Sequence, residues 1–253
     1  MMGWLADIMS LTVGEAIFAL TAAFAAGLVR GFSGFALSAL LMASLVIILP
    51  PAEIIAICLI LETVATTLMF RGGYREADKK MVFGLIAGVV VGVPLGLWVI
   101  LTVPEETSKL IALSLILVLA LAQLGGFRPA FLATRPGLLG SGVAAGLVQG
   151  TAASGGMVVA LYALARQAPA ATMRASLVFY LTLSILSNLV FYSLFGLITS
   201  EAVMRSLAMA LPVALGVLLG ARLFSPRLQP YYRTFCLCLL TGLALLGLVR
   251  APL

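Results

Sequence analysis

Gly27-Leu28-Val29-Arg30-Gly31 opens one apolar segment of this chain, and Gly146-Leu147-Val148-Gln149-Gly150 opens a second one 119 residues later. The same offset of 119 pairs Pro50 with Pro169 and Ala52 with Ala171. Residues 27–50 and 146–169 therefore read as two versions of one segment. An internal duplication in so apolar a chain is a mark of secondary transporters, which place a substrate site where two repeats meet.

Composition sets the class. The 253 residues are 63% hydrophobic and 9% charged. A soluble domain carries about a quarter charged residues. Apolar runs recur at roughly 12–29, 33–49, 54–70, 81–101, 108–124, 136–148, 153–165, 175–198, 203–221 and 234–249. A spanning helix needs about 20 such residues. The expectation is an all-α polytopic membrane protein, one transmembrane domain over 1–253. No basic region precedes the first run, so it does not read as a cleaved signal peptide. Cys58, Cys236 and Cys238 lie in or beside apolar runs and read as small core residues, not as a disulfide frame. The net charge of +6 then reports which loops face the cytoplasm, and no nucleic-acid partner is expected.

The basic residues choose between two topologies. Residues 12–49 would reach on the order of 55 Å as one helix, against a bilayer core of about 30 Å. They are interrupted at Arg30-Gly31-Phe32-Ser33-Gly34. If the chain crosses straight on there, the other 14 Lys and Arg split 8 to 6 between the two sides. If it turns back, eleven share one side: Arg71, Arg75, Lys79, Lys80, Arg128, Arg135, Arg166, Arg174, Arg222, Arg227 and Arg233. Only Lys109, Arg205 and Arg250 then lie opposite, a clear positive-inside bias. With that turn both termini lie outside the membrane, and the repeats, about 12–124 and 131–249, have inverted topology. Each repeat would hold a broken or re-entrant helical hairpin followed by three transmembrane helices. Segments 136–148 and 153–165 are below spanning length, so the hairpin tips are expected within the membrane, most clearly in the second repeat.

Gly84, Gly88, Gly92 and Gly96 fall every fourth residue, and Gly216 and Gly220 repeat the pattern in the matching helix. Small faces of this kind let helix backbones approach closely, and packing is their main reading. Pro94 and Pro212 lie inside these helices.

The two interruptions hold the candidate site. The first offers Arg30, Gly31, Ser33 and Gly34. The second offers Gln149, Gly150, Thr151, Ser154, Gly155 and Gly156. Helices that restart near Ser33 and Ser154 would present unpaired N–H groups and a positive dipole end, which bind anions. Irregular backbone at membrane depth is tolerated where protein buries it or where it lines a cavity. Arg30 brings a planar fork suited to an oxyanion, or else it is a snorkelling residue at a helix end. Glu62, mid-run in Leu61-Glu62-Thr63, is a proton carrier, a counter-ion to Arg30, or a surface residue. Asn188 lies in a polar stripe with Ser184 and Ser187, suited to interhelical hydrogen bonds or to substrate. Glu53 and Glu201 flank helix starts, where carboxylates complement the dipole.

Several chemistries are excluded. The chain has no histidine. Gly31-Phe32-Ser33-Gly34 looks like the Gly-x-Ser-Gly of intramembrane serine proteases, but their Ser–His dyad cannot form. No phosphate loop is present, and no cofactor, catalytic residue or metal ligand is assigned.

At these residues the chain resembles the TauE/SafE sulfite exporter family, also called the toluene-sulfonate uptake permeases. The resemblance spans essentially the whole chain. It rests on Val29-Arg30-Gly31-Phe32-Ser33-Gly34-Phe35, Leu49-Pro50-Pro51-Ala52-Glu53, Leu61-Glu62 and Gly92-Val93-Pro94-Leu95-Gly96-Leu97. In the second half it rests on Arg174-Ala175-Ser176-Leu177 and Gly220-Ala221-Arg222-Leu223-Phe224. One departure bears on the substrate: Ala153-Ser154-Gly155-Gly156-Met157-Val158 stands where the family has a glycine run followed by proline. The resemblance implies a permease for small sulfur anions, sulfite or an organosulfonate, with export favoured over import. A passive anion channel and a non-transporting membrane assembly subunit are the alternatives. Protons are the candidate coupling ion, a bacterial inner membrane is the expected site, and a homo-oligomer is compatible with the sequence.

Overall fold

The computed structural model describes residues 8–69, 76–127, 131, 134–166, 169–223 and 229–250. Among these residues the structure is all helical, with no strand. Among the described residues these helices follow one another: α1 (Val13–Ser33), α2 (Leu37–Leu45), α3 (Pro51–Met69), α4 (Lys79–Thr102), α5 (Glu105–Leu124), α6 (Arg135–Ala152), α7 (Gly155–Ala165), α8 (Ala170–Leu194), α9 (Ser200–Leu223) and α10 (Gln229–Arg250). Six of them, α1, α3, α4, α5, α8 and α9, are long and apolar enough to cross a membrane. The protein is a multi-pass membrane protein. Helices α2 and α7, at 9 and 11 residues, are too short to span. The expectation of short hairpin segments fits the second half better: α1 has 21 residues and is itself one of the six, whereas α6 has 18 and is not.

Helix starts follow local capping chemistry. Thr12 caps α1 in a capping box, its hydroxyl accepting from Glu15 N–H and the Glu15 carboxylate accepting from Thr12 N–H at 2.9 Å. Asp78 caps α4 through Met81 N–H at 3.0 Å, and Thr134 caps α6 through Gly137 N–H at 3.1 Å.

Two crossed helix pairs frame the molecule. Helix α1 lies along α9, and α4 lies along α6. Their glycines touch backbone. A Cβ on Gly27 would sit 2.5 Å from the Val213 carbonyl oxygen, and one on Gly150 would sit 2.5 Å from that of Val93. Gly31 meets Val217, Gly220 and Ala221 in the same way, and Gly92 meets Val143 and Gly146. Register rises together along both members of each pair, so both pairs are parallel. Backbone contact of this kind supplies dispersion energy where lipid offers no hydrophobic drive between helices.

Two ion pairs lie away from the helix breaks. Arg205 of α9 donates to the Met9 carbonyl at 2.6 Å and pairs with Glu53 in the first turn of α3. Glu53 therefore serves an ion pair as well as the helix start. Asp78, ahead of α4, pairs with Arg166 at 3.3 Å, and its N–H donates to Ser176 Oγ at 2.9 Å.

Candidate functional site

Both hairpins break at equivalent residues. Helix α1 ends on Gly34, at φ 82°, and α6 ends on Ala153, at φ 53°. Both are left-handed, and they are 119 positions apart. Glycine takes this conformation freely; alanine does so at a cost of roughly 1 kcal/mol. The breaks are shorter than the sequence suggested. Helix α1 runs through Ser33 and α6 through Ala152, so Arg30, Gly31, Gln149, Gly150 and Thr151 are helical, not unwound. Helix α2 restarts at Leu37, beyond Ser33; α7 restarts at Gly155 with Ser154 as its N-cap.

The two breaks line one cavity. Phe35, Ala36, Ser38 and Ala39 contribute from the first hairpin, Ala153, Ser154, Gly156 and Met157 from the second. Glu62 of α3 and Leu181 of α8 close the sides. Three wall pairs stand 119 positions apart: Phe35 with Ser154, Ser38 with Met157, and Glu62 with Leu181. The free interior is about that of one water molecule. Neither Ala36 nor Ser154 caps its helix with its own side chain; at α7 the Gln149 side chain takes the Gly155 N–H, and Gly156, the next residue, lines the cavity.

A buried ion pair stands behind the wall. Arg30 is 0% exposed. Its Nε donates to Glu62 Oε2 at 3.1 Å, its Nη2 to Thr66 Oγ1 at 3.1 Å, and its Nη1 to the Gly34 carbonyl. Ser38 Oγ donates to Glu62 Oε1 at 2.9 Å. Arg30 thus ties the end of α1 to α3, and its fork is occupied by protein oxygens. Glu62 lines the cavity, and Arg30 pairs with it without being a wall residue.

The other expected residues divide. Ser154 and Gly156 line the cavity. Ser33 bonds to the Phe35 backbone, its Oγ donating to the carbonyl at 2.7 Å. Gly31 and Gly150 sit at the helix crossings, and Gly155 packs on Ala145 of α6. Thr151 Oγ1 donates to the Leu147 carbonyl at 2.8 Å. Gln149 accepts from Gly155 N–H at 3.1 Å and donates to Tyr192 Oη at 3.1 Å, while the Tyr192 hydroxyl donates to the Gln149 carbonyl. Asn188 is buried on α8 and is not a wall residue. Ser38, Thr66 and Tyr192 were not foreseen. They sit in apolar runs, and only the fold reveals their partners.

Compared with known proteins, residues 19–247 match the family model described as Sulfite exporter TauE/SafE. No curated protein and no solved structure matches the chain.

Proposed function

Because the chain belongs to the Sulfite exporter TauE/SafE family, whose members are membrane transporters of sulfur anions, we propose that it is a secondary permease exporting sulfite or a small organosulfonate. The observation that carries this reading is the cavity between the two helix breaks. The N-terminal turns of α2 and α7 bring positive dipole ends to an oxyanion there, and α7 adds the Gly156 N–H. This is the arrangement by which broken transporter helices meet anionic substrates. The small free interior, about that of one water molecule, favours a gated carrier over an open channel: an anion of sulfite's size enters only when the walls part.

Glu62 is the coupling group in this proposal. A carboxylate in an anion cavity repels substrate while it is ionised, even with Arg30 behind it. Protonation of Glu62 as the anion binds removes that repulsion, so proton and anion move together, and export then runs down the anion's own outward gradient. The remaining expected residues, Gly31, Ser33, Gly34, Gln149, Gly150, Thr151 and Gly155, shape the breaks and keep the helix ends in place. The protein is a carrier and not an enzyme in this reading.

The repeats belong to the same proposal. They run over about 12–124 and 131–249 with inverted topology, both termini outside and Arg71 to Lys80 in the cytoplasm of a bacterial cell. The crossed pairs support it, since the first helix of each half packs on the fourth helix of the other. Proteoliposomes test the function. Radiolabelled sulfite should accumulate against its gradient when a pH gradient is imposed, and only equilibrate without one. Equal equilibration in both cases would make the protein a passive conduit.

A further inference from the structure

Helix α8 carries a buried polar face that the cavity does not use. Tyr180, Ser184, Asn188 and Tyr192 recur every fourth residue, and none is more than 4% exposed. Residues at this spacing share a helix face. The face lies next to the cavity along the chain, since Tyr180 directly precedes the wall residue Leu181. Ser184 Oγ donates at 3.0 Å to the carbonyl of Leu181, a wall residue. Tyr192 is joined through Gln149 to the N–H of Gly155, between the wall residues Ser154 and Gly156. The same face holds two polar atoms without a hydrogen-bond partner among the described residues: the Tyr180 hydroxyl and Asn188 Oδ1.

The fold does not require this polarity. At the equivalent positions 119 residues earlier stand Leu61 for Tyr180, Ala65 for Ser184 and Met69 for Asn188. An unpartnered polar atom in a membrane interior is destabilising, because no water competes to satisfy it. Apolar side chains would pack the same surface at lower free energy, as they do in the first half.

The geometry points to a second anion station on α8, where the Tyr180 hydroxyl and the Asn188 amide hold a small sulfur oxyanion adjoining the cavity. It rests on the transporter reading above. Both groups can donate: the hydroxyl directly, the amide by turning its NH2 end inward. Both are neutral. Neutral donors hold an anion firmly enough to replace part of its hydration and weakly enough to release it, as conduction through successive sites requires.

The test uses Tyr180→Phe and Asn188→Leu in the full-length protein, with radiolabelled sulfite exchange in proteoliposomes and thermal stability in detergent. Tyr180→Phe removes one oxygen and keeps the ring, so it separates function from folding. The station predicts unchanged or higher thermal stability in Tyr180→Phe, together with a fall in sulfite exchange of about tenfold, the size of one lost hydrogen bond to a charged partner. Exchange at the parental rate with raised stability would overturn the station and leave the face a packing feature. Normal exchange with loss of accumulation driven by a pH gradient would also overturn it, assigning the face to protons. A parent protein that moves no sulfite would instead overturn the transporter reading, and that failure shows before any variant is made.

Discussion

Arg30 Nε and Glu62 Oε2 lie 3.1 Å apart inside the helix bundle, and the same guanidinium also holds the Gly34 carbonyl at the end of α1. One side chain therefore joins the first helix break to the carboxylate on the cavity wall. Removing one member of such a pair leaves the other charged and buried, which typically costs about 3–5 kcal/mol.

Arg30→Gln should destabilise the protein by that order, and Arg30→Lys by less, since lysine keeps the charge but loses the fork. Arg30→Gln combined with Glu62→Gln should recover a large part of the loss. Unfolding of the two singles and the double in detergent checks this through a double-mutant cycle. Additive losses would show that the two side chains are not coupled.

Glycine contacts give a second prediction. A Cβ on Gly88 would lie 2.5 Å from Val143 N in α6, whereas one on Gly140 would meet nothing within 4 Å. Gly88→Ala should cost about 1–3 kcal/mol through overpacking at the α4–α6 crossing. Gly140→Ala, in the middle of α6, should be neutral or stabilise by up to about 1 kcal/mol through helix propensity. Thermal unfolding of the two variants should move in opposite directions or differ clearly in size.

Ala153 offers a stabilising change. It holds φ 53° where Gly34 ends the other hairpin. Ala153→Gly should raise stability by up to about 1 kcal/mol by releasing the left-handed strain, partly offset by a freer unfolded chain. A lower unfolding temperature for this variant would show that the methyl group packs favourably despite the strain.

Topology is open to chemical labelling. Single cysteines at Glu76 and Ser200, in a cysteine-free background, should react from opposite sides of the membrane. Equal reaction of both from the outside would end the inverted arrangement.

Much of the fold was legible in the sequence because membrane helices announce themselves by length and apolarity. The glycine spacing at 84, 88, 92 and 96 marked a packing face before its partner, α6, was known. The offset of 119 found the two hairpins. It placed the breaks within the right stretches and made each of them too long. Arg30-Gly31 reads as an interruption because a charge and a glycine interrupt an apolar run, yet the helix continues through both. Arg30 is neutralised by Glu62, and Gly31 is there for the α9 backbone, not for a bend. Ser38 and Tyr192 were illegible for a different reason. A single hydroxyl in an apolar helix gains meaning only from the residue opposite, and that residue is distant in sequence: Glu62 in one case and Gln149 in the other.

The central claim is that Glu62 couples proton and anion movement in the cavity between the helix breaks. It is tested most directly by sulfite flux through Glu62→Gln in proteoliposomes, measured with and without a pH gradient. In Glu62→Gln protein that folds, as checked by its unfolding temperature, the neutral side chain should still allow sulfite exchange across the membrane, while accumulation driven by the pH gradient is lost. Accumulation at the parental level in Glu62→Gln would contradict the account.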